Sequence, residues 1–124
     1  MTALPGPISI LVVDDEPLIR MYAVDVLEDA GFVVFEAGDA EEALCLLDEM
    51  PQIRVLFTDI NMPGKFDGLE LARRVHARRS DVQLIITSGR QRPADADIPD
   101  RGAFLAKPYD GAAITRLIVA TQQL

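Results

Sequence analysis

The chain has 124 residues and a formal net charge of -8, and 49% of its residues are hydrophobic. This length fits one domain with one hydrophobic core, and this composition excludes an intrinsically disordered chain. The negative charge argues against a nucleic-acid partner, because binding the phosphate backbone requires clustered lysines and arginines. No apolar stretch reaches the roughly 18 residues that a membrane span requires. We therefore expect a globular domain that binds neither nucleic acid nor a membrane.

Cysteine content and the N-terminus indicate the compartment. Cys45 is the only cysteine, so no disulfide can form within the chain, and a lone thiol suits a reducing cytoplasm. Residues 1–7 lack the basic region and apolar run of a signal peptide. We expect them to form a flexible lead-in and residues 8–124 to form a single cytoplasmic domain.

The first strand and helix are predicted near the N-terminus. Residues 8–13 form a nearly continuous apolar run, which is typical of a strand buried on both faces of a parallel sheet. An acidic triplet follows, and Pro17 then fits the first turn of a helix, where its missing N–H is not needed. Gly31 stands where the C-cap of that helix belongs.

The same alternation continues through the middle of the chain. Residues 32–37 and 55–58 are predicted as the second and third strands, and the third ends at Asp59. Between these strands, Asp39 is predicted to cap a helix. A third helix is predicted over residues 67–79 from its apolar spacing.

The C-terminal part of the chain completes the predicted sheet. Residues 82–86 and 103–106 are predicted as the fourth and fifth strands, and Asp110 as the cap of a last helix. Alternating strands and helices predict right-handed βαβ units with helices on both faces of the sheet. We therefore expect an α/β fold with a doubly wound, flavodoxin-like sheet of five parallel strands in the order 2-1-3-4-5.

The segment between the fourth and fifth strands lacks the pattern of a packed helix. Within residues 90–101, Ile98 is the only large apolar residue. Pro99 inside a helix would remove a hydrogen bond and clash one turn back, at a cost of about 3 kcal/mol. We expect at most one turn near residues 94–97, and therefore a shortened or irregular fourth helix.

Polar side chains follow four of the predicted strands at the point where each ends. Asp14 and Asp15 follow the first strand, Asp59 the third, Thr87 the fourth and Lys107 the fifth. Because the carboxyl ends of parallel strands meet at one edge of a sheet, these side chains are predicted to converge there.

The predicted cluster suits a metal-assisted reaction of phosphate. Three crowded carboxylates repel one another unless a cation intervenes, and an oxygen-rich set without His or Cys suits Mg²⁺ or Mn²⁺. Such an ion offsets the charge that develops on a phosphoryl group in transfer, and a carboxylate can attack phosphorus to give an aspartyl phosphate. Thr87 would donate a hydrogen bond to one phosphoryl oxygen, and Lys107 would pair with another.

The arrangement resembles the receiver domain of bacterial response regulators over essentially the whole chain. The matching pieces are Asp14-Asp15-Glu16 after an apolar strand, Asp59 with Met62-Pro63, Asp67-Gly68 at the start of a helix, Thr87 after the fourth strand, and Lys107-Pro108 after the fifth. Each piece is weak alone, but together, in this order and at these strand ends, they are highly specific.

The resemblance assigns the acidic residues separate roles. It implies that Asp59 is the phosphoacceptor and Asp15 a direct metal ligand. Asp14 would reach the metal mostly through water, and the backbone carbonyl of Asn61 would complete the metal shell. The donor would be a phosphohistidine on a sensor histidine kinase or a histidine phosphotransfer protein, and output would pass to a downstream protein partner.

The resemblance also implies a conformational switch. Thr87 matches the switch hydroxyl, Phe104 the switch aromatic position, and Lys107 the lysine that contacts the phosphoryl group. The bond to Pro108 is expected to be cis. Phosphoryl transfer and dephosphorylation would be self-catalysed, so the protein would be a switch rather than an enzyme acting on other substrates.

Two parts of the chain depart from the common receiver pattern. The loop of residues 64–68 has one residue more than its commonest form, which is predicted to shift Lys65 over the mouth of the pocket. The irregular segment of residues 90–101 favours output through a mobile loop instead of a regular fourth helix.

Each of these residues also has a purely structural interpretation. Asp14 and Asp15 would suit helix capping, and Asp59 would suit an Asx turn. Lys107 would suit a solvated surface, and Phe104 plain core packing. For the chain to have no functional site, all of these structural interpretations would have to be correct at once. The occurrence of all these residues at the predicted strand ends disfavours that.

Other functions explain parts of the same pattern. A Mg²⁺-dependent hydrolase that forms an aspartyl phosphate also has acids at strand ends, but it generally needs a second acid two residues after the nucleophile, where Asn61 stands. A phosphorylation-independent, receiver-like binding module would need neither the full acid set nor Lys107. A dinucleotide-binding module is disfavoured because no G-x-G-x-x-G motif follows the first strand.

Overall fold

Five strands and four helices alternate along the described part of the chain, with one 3-10 turn between the last two strands. The structure is a computed structural model that describes residues 7–89, 92–99 and 102–122. The strands are β1 (Ser9–Val13), β2 (Val33–Ala37), β3 (Ile53–Asp59), β4 (Gln83–Ser88) and β5 (Gly102–Ala106). The helices are α1 (Pro17–Asp29), α2 (Ala40–Glu49), α3 (Gly68–Arg78) and α4 (Gly111–Gln122).

The strands form one parallel sheet in the order β2-β1-β3-β4-β5, which confirms the predicted fold. Val13 pairs in register with Thr58, and Asp59 pairs with Thr87. Ser88 pairs with Ala106, directly before Lys107. The register therefore brings the carboxyl ends of β1, β3, β4 and β5 to the same edge, as a parallel sheet requires.

Two hydrophobic clusters lie on opposite faces of the sheet because successive strand residues point to opposite sides. Leu11 and Leu84 face α2 and α3, where Leu71 completes the contact. Ile10 and Ile85 face α1 and α4. The central strands are buried on both faces, which explains their continuous apolar runs.

Side-chain caps set the starts of three helices. Asp39, Asp67 and Asp110 each accept a hydrogen bond from the backbone N–H three residues later, at 2.8, 2.9 and 2.7 Å. The caps predicted at Asp39 and Asp110 are confirmed, whereas α3 begins one residue after Asp67. Gly31 has a φ of 98°, in the left-handed region that a glycine adopts readily after a helix end.

The irregular fourth helix predicted between β4 and β5 is confirmed for the residues that the structure describes there. Residues 92–99 contain a single 3-10 turn, Asp95–Asp97. Its Asp97 carboxylate lies 3.7 Å from the Arg73 guanidinium on α3, in an exposed ion pair. The remainder of the predicted loop, residues 90, 91, 100 and 101, and most of the predicted lead-in, residues 1–6, lie outside the described residues.

No helix in the described part of the chain is long and apolar enough to span a bilayer. The longest described helix, α1, has 13 residues and carries charged side chains along its exposed face. A transmembrane helix requires about 20 apolar residues.

Candidate functional site

Three carboxylates meet at the carboxyl edge of the sheet. Asp14 follows β1, Asp59 ends β3, and Asp15 lies beside them on the turn into α1. One carboxylate oxygen from each lies within 4.8 Å of the others. Asp14 is 3% exposed and Asp59 5% exposed, whereas Asp15 is half-buried. The predicted convergence of the three acids is therefore present.

Lys107 lies between two of these acids. Its Nζ atom is 3.3 Å from Asp14 Oδ2 and 3.3 Å from Asp59 Oδ2. The ammonium offsets part of the repulsion between the carboxylates, since opposite charges at this distance favour the ionised forms. The peptide bond from Lys107 to Pro108 is cis, the geometry that the resemblance implied.

Burial makes Asp59 a poor place for an uncompensated charge. Desolvation raises the pKa of the Asp59 carboxyl above 3.8, the nearby Lys107 ammonium opposes this shift, and Asp14 adds to it. The Asn61 backbone N–H donates to Asp59 Oδ1 at 3.4 Å. A divalent cation beside Asp59 would favour the ionised form, which is the form that acts as a nucleophile or a ligand.

Asp14 is held in place by the turn that follows β1. Its N–H donates to the Ala37 carbonyl at 3.2 Å, and its Oδ1 accepts a hydrogen bond from the Glu16 N–H at 2.9 Å. The N-cap of α1 is Glu16, with Pro17 as its first helical residue. Neither Asp14 nor Asp15 caps the helix, so that structural interpretation does not account for them.

The start of α3 packs against the end of β3 at the backbone of the acceptor strand. The Gly68 N–H donates to the Ile60 carbonyl at 2.9 Å. A Cβ atom on Gly68 would lie 1.7 Å from the Asp59 carbonyl oxygen, so only glycine permits this approach. The sequence placed Gly68 at a helix start without indicating this contact.

Two hydroxyl residues end β4 beside the acids. Thr87 is 2% exposed, and its Oγ1 has no hydrogen-bond partner within the described part of the chain. Ser88 is the buried last residue of β4 and accepts a hydrogen bond from Asn61 Nδ2 at 3.0 Å. The Thr87 hydroxyl is therefore buried beside the acids, and none of the described residues uses it as a hydrogen-bond partner.

The two remaining predicted positions lie away from the acids. Phe104 pairs in register with Ile86, packs partly buried against the cluster of α2 and α3, and lies 5.4 Å below the Arg92 guanidinium. Lys65 is exposed and is not among the described residues that line the acidic cleft. The expected shift of Lys65 over the pocket mouth is not seen in this structure.

Two adjoining depressions open beside the acids. The acidic cleft, about 330 Å³, is lined by Asp15, Glu16, Ile19, Asp59, Asn61, Gly89 and Lys107. The apolar groove, about 500 Å³, is lined by Leu18, Ile19, Tyr22, Gly89, Lys107, Pro108 and Tyr109. Ile19, Gly89 and Lys107 border both, so a partner seated in the groove would reach the cleft.

Sequence reasoning missed Arg20, which bridges the turns around the site. Its Nη1 donates to the Asp14 carbonyl at 2.7 Å, and its Nε donates to Glu36 Oε1 at 3.0 Å. The signal was an arginine near the N-terminus of α1, because a helix dipole disfavours a positive charge there unless another contact offsets it.

These side chains fit a hard divalent cation and a phosphoryl group. Asp14, Asp15 and Asp59 offer only oxygen ligands, which Mg²⁺ prefers, and no His or Cys of the described residues joins them. Lys107 and the unpartnered Thr87 hydroxyl supply donors to anionic oxygens. The arrangement can therefore bind metal and phosphate together.

Comparison with known proteins places this geometry in a family. The sequence profile described as the response regulator receiver domain matches residues 10–119. The sensor kinase CckA of Brucella abortus (strain 2308) is 34% identical over 116 residues, which cover 87% of this chain and 12% of that protein. The transcriptional regulatory protein PdtaR of Mycobacterium tuberculosis is 33% identical over 119 residues, which cover 94% of this chain and 56% of that protein.

Solved structures give the same result. The response regulator receiver protein from Pseudomonas putida superposes with a TM-score of 0.83 at 30% identity, covering 94% of this chain and 99% of that chain. The receiver domain of the hybrid histidine kinase CckA superposes with a TM-score of 0.80 at 30% identity, covering 93% of this chain and 99% of that chain.

Proposed function

Because this chain belongs to the response regulator receiver domain family of two-component systems, we propose that it takes a phosphoryl group from a phosphohistidine onto Asp59 and signals by a conformational switch. The observation that carries the proposal is the meeting of three carboxylates and Lys107 at the carboxyl edge of the sheet. Asp59 is one of two buried acids in this set, and its Oδ2 lies 3.3 Å from Lys107 Nζ.

We assign the metal to the three acids and the adjoining backbone. Asp15 and Asp59 would bind Mg²⁺ or Mn²⁺ directly, Asp14 mostly through water, and Asn61 through its backbone carbonyl. The donor set fits, because Mg²⁺ takes one or two carboxylates and keeps water and phosphate oxygens for the rest of its shell. When bound, the ion neutralises charge on the transferring phosphoryl oxygens.

The side chains then have distinct tasks in the transfer. An Asp59 carboxylate oxygen forms a bond to phosphorus as the P–N bond to the donor histidine breaks, and the departing imidazole takes up a proton. Lys107, already 3.3 Å from Asp59, pairs with one phosphoryl oxygen, and the Thr87 hydroxyl donates to another. Attack of water on the same phosphorus would later break its bond to the Asp59 oxygen, release inorganic phosphate and return the free carboxylate, so dephosphorylation would use the same residues.

The switch links Thr87 to Phe104. A phosphoryl group adds roughly -1.5 to -2 charges beside Thr87. Movement of Thr87 toward that group vacates space next to the strand, and the partly buried ring of Phe104 can occupy it. This is a shift between two packings of the same fold.

The partners follow from the surfaces around the cleft. A sensor histidine kinase or a histidine phosphotransfer protein must bring its phosphohistidine to Asp59, and the adjoining apolar groove offers that protein a contact surface. Leu18, 78% exposed, and Tyr22, 45% exposed, lie on this groove. Since the described part of the chain has no regular helix between β4 and β5, output to a downstream protein would use the segment around Asp95–Asp97. We place these encounters in the cytoplasm.

Intact mass measurement after incubation with an acyl phosphate or a phosphoramidate tests the proposal. The wild-type protein should gain one phosphoryl group with Mg²⁺ and little in a chelator, and Asp59→Asn should gain none. Asp67→Asn is the matched control: Asp67 is an exposed helix cap, Asn caps equally well, and labelling should persist. Full labelling of Asp59→Asn would contradict the assignment of the acceptor.

The same samples separate the proposed function from its alternatives. A phosphorylation-independent binding module would take no label from any donor. An aspartyl-phosphate hydrolase would release phosphate continuously from organic phosphate esters, which a receiver would not. NMR signals of Phe104 should shift on labelling as much as those of Thr87, and an unchanged Phe104 would refute the switch.

A further inference from the structure

The guanidinium of Arg20 connects the turn after β1 to strand β2. Its Nη1 donates to the Asp14 carbonyl at 2.7 Å, which is a short, charge-assisted hydrogen bond. Its Nε donates to Glu36 Oε1 at 3.0 Å, and the Arg20 side chain is only 22% exposed. The guanidinium also lies 3.5 Å from the position of a Cβ on Gly38. Arg20 is thus fixed between two elements that flank the acids.

Asp14 has four contacts among the described residues, and those with Arg20 and Ala37 are made by its backbone. Its N–H binds the Ala37 carbonyl, its Oδ1 accepts from the Glu16 N–H, and its Oδ2 pairs with Lys107. Under the proposed function, Lys107 turns to the phosphoryl group during transfer and leaves Asp14. The bond from Arg20 is to the backbone, so it stays in place when the carboxylates and Lys107 change partners.

We propose that Arg20 is a positioning residue for the metal site. It holds the Asp14 carbonyl and thereby orients the turn that carries the Asp14 and Asp15 carboxylates, each of which has an oxygen within 4.8 Å of Asp59. Glu36 fixes the guanidinium from the other side, so that Nε binds Glu36 while Nη1 binds the Asp14 carbonyl. The inference rests on the proposed function, because it requires these acids to bind a divalent cation.

Two physical effects of removing Arg20 have opposite signs. Its positive charge repels a divalent cation, so loss of that charge alone would strengthen metal binding. Loss of positioning would weaken binding, since removing a group that orients a metal ligand typically reduces metal affinity about 10- to 100-fold. Solvent and salt screen the charge effect at a partly exposed position, so positioning should outweigh it.

The test is the affinity for Mn²⁺, followed by electron paramagnetic resonance and by competition with Mg²⁺. Arg20→Gln should lower the affinity about tenfold. Arg54→Gln is the matched control, because it removes the same charge from an exposed ion pair with Asp81 at the opposite edge of the sheet. Its affinity should stay within about twofold of wild type, as expected of a screened surface charge.

A second pair of variants keeps the test decisive if Arg20→Gln does not fold. Arg20→Lys keeps the charge, but one ammonium cannot reach both partners of the fork, so metal binding should weaken. Glu36→Gln keeps Arg20 and loosens its orientation, so binding should weaken less. Denaturant unfolding in a chelator reports whether each variant is folded.

The outcomes distinguish this inference from the proposed function. Phosphoryl labelling of Arg20→Gln should be slow at low Mg²⁺ and recover at saturating Mg²⁺, whereas general damage would lower it at both. If Arg20→Gln binds the metal as tightly as the wild-type protein or more tightly, the positioning role is refuted. The proposed function would stand in that case, because the wild-type protein would still bind the metal. A wild-type protein that binds no Mg²⁺ or Mn²⁺ would refute both.

Discussion

The carboxyl and amino edges of the sheet differ in how completely their polar and charged groups are paired. At the carboxyl edge, two buried carboxylates share one lysine, and the Thr87 hydroxyl has no partner within the described residues. At the amino edge, the Arg79 guanidinium donates to four backbone carbonyls, those of Leu47, Met50, Pro51 and Ile53, at 2.8 to 3.4 Å. Arg79 thereby satisfies the last carbonyls of α2 and the chain that leads into β3.

This difference separates stability from function within one small domain. Repelling charges and an unpartnered donor destabilise the carboxyl edge, but they are the groups that a cation and a phosphoryl group would satisfy. The amino edge carries no such acidic cluster among the described residues. Substitutions at the two edges should therefore differ in kind as well as in size.

The largest effect is expected at Gly68. Gly68→Ala places a methyl group against the Asp59 carbonyl and forces α3 away from the acceptor strand. We expect a loss of about 3 kcal/mol in the free energy of unfolding, together with slower labelling of Asp59. Gly38→Ala is the control, because its Cβ meets only ordinary contacts, and it should change stability by less than about 1 kcal/mol. Denaturant unfolding measures both, and equal stabilities would contradict the packing argument.

A smaller effect, confined to stability, is expected at Arg79. Arg79→Met leaves several backbone carbonyls without their charged donor and should cost about 2 kcal/mol, since hydrogen bonds to charged groups are stronger than neutral ones. The matched variant Arg78→Met breaks an exposed ion pair with Asp48 and should cost about 0.5 kcal/mol or less. Labelling of the folded Arg79→Met protein should remain normal. A labelling defect in the folded Arg79→Met protein would contradict the conclusion that the amino edge contributes to stability and not to labelling.

The smallest effect is expected at Asp59 and should be stabilising. In a chelator, Asp59→Asn should be more stable than wild type at neutral pH, because burial and Asp14 raise the pKa of the Asp59 carboxyl above 3.8. Between 3.8 and that raised pKa the folded wild type binds more protons than the unfolded chain, so its stability falls as pH rises. The difference in the free energy of unfolding between Asp59→Asn and wild type should therefore be small below pH 3.8, increase as pH rises and then stay constant. If this difference in the free energy of unfolding decreased as pH rises, the effect of Lys107 on the pKa of the Asp59 carboxyl would outweigh the effect of burial.

The order of strands and the place of the acids could be predicted from local pattern. Apolar runs such as Leu11–Val13 in β1 end in polar residues, and strands alternate with capped helices, which leaves a parallel sheet as the consistent arrangement. Once the sheet is parallel, Asp14, Asp59 and Lys107 must lie at one edge. Pro99, and Ile98 as the single large apolar residue, likewise predicted a shortened or irregular fourth helix, because a broken backbone pattern is a local property.

Element boundaries were less accurate than element types. β3 begins at Ile53, two residues before the predicted start, and β4 extends through Ser88, two residues past its predicted end. Strand ends depend on whether a neighbouring strand offers a hydrogen-bond partner, which the sequence of one strand does not contain.

Sequence alone determined the fold, the acidic cluster and the irregular segment, since each depends on residue type and spacing along the chain. Only the tertiary structure decided that Gly68 must be glycine, that Arg20 reaches the Asp14 carbonyl, and that Lys65 lies away from the cleft. These features join residues from different elements, and their distances are set by register and packing. Periodicity assigns a side chain to a face, but contact between two faces exists only once the chain has folded.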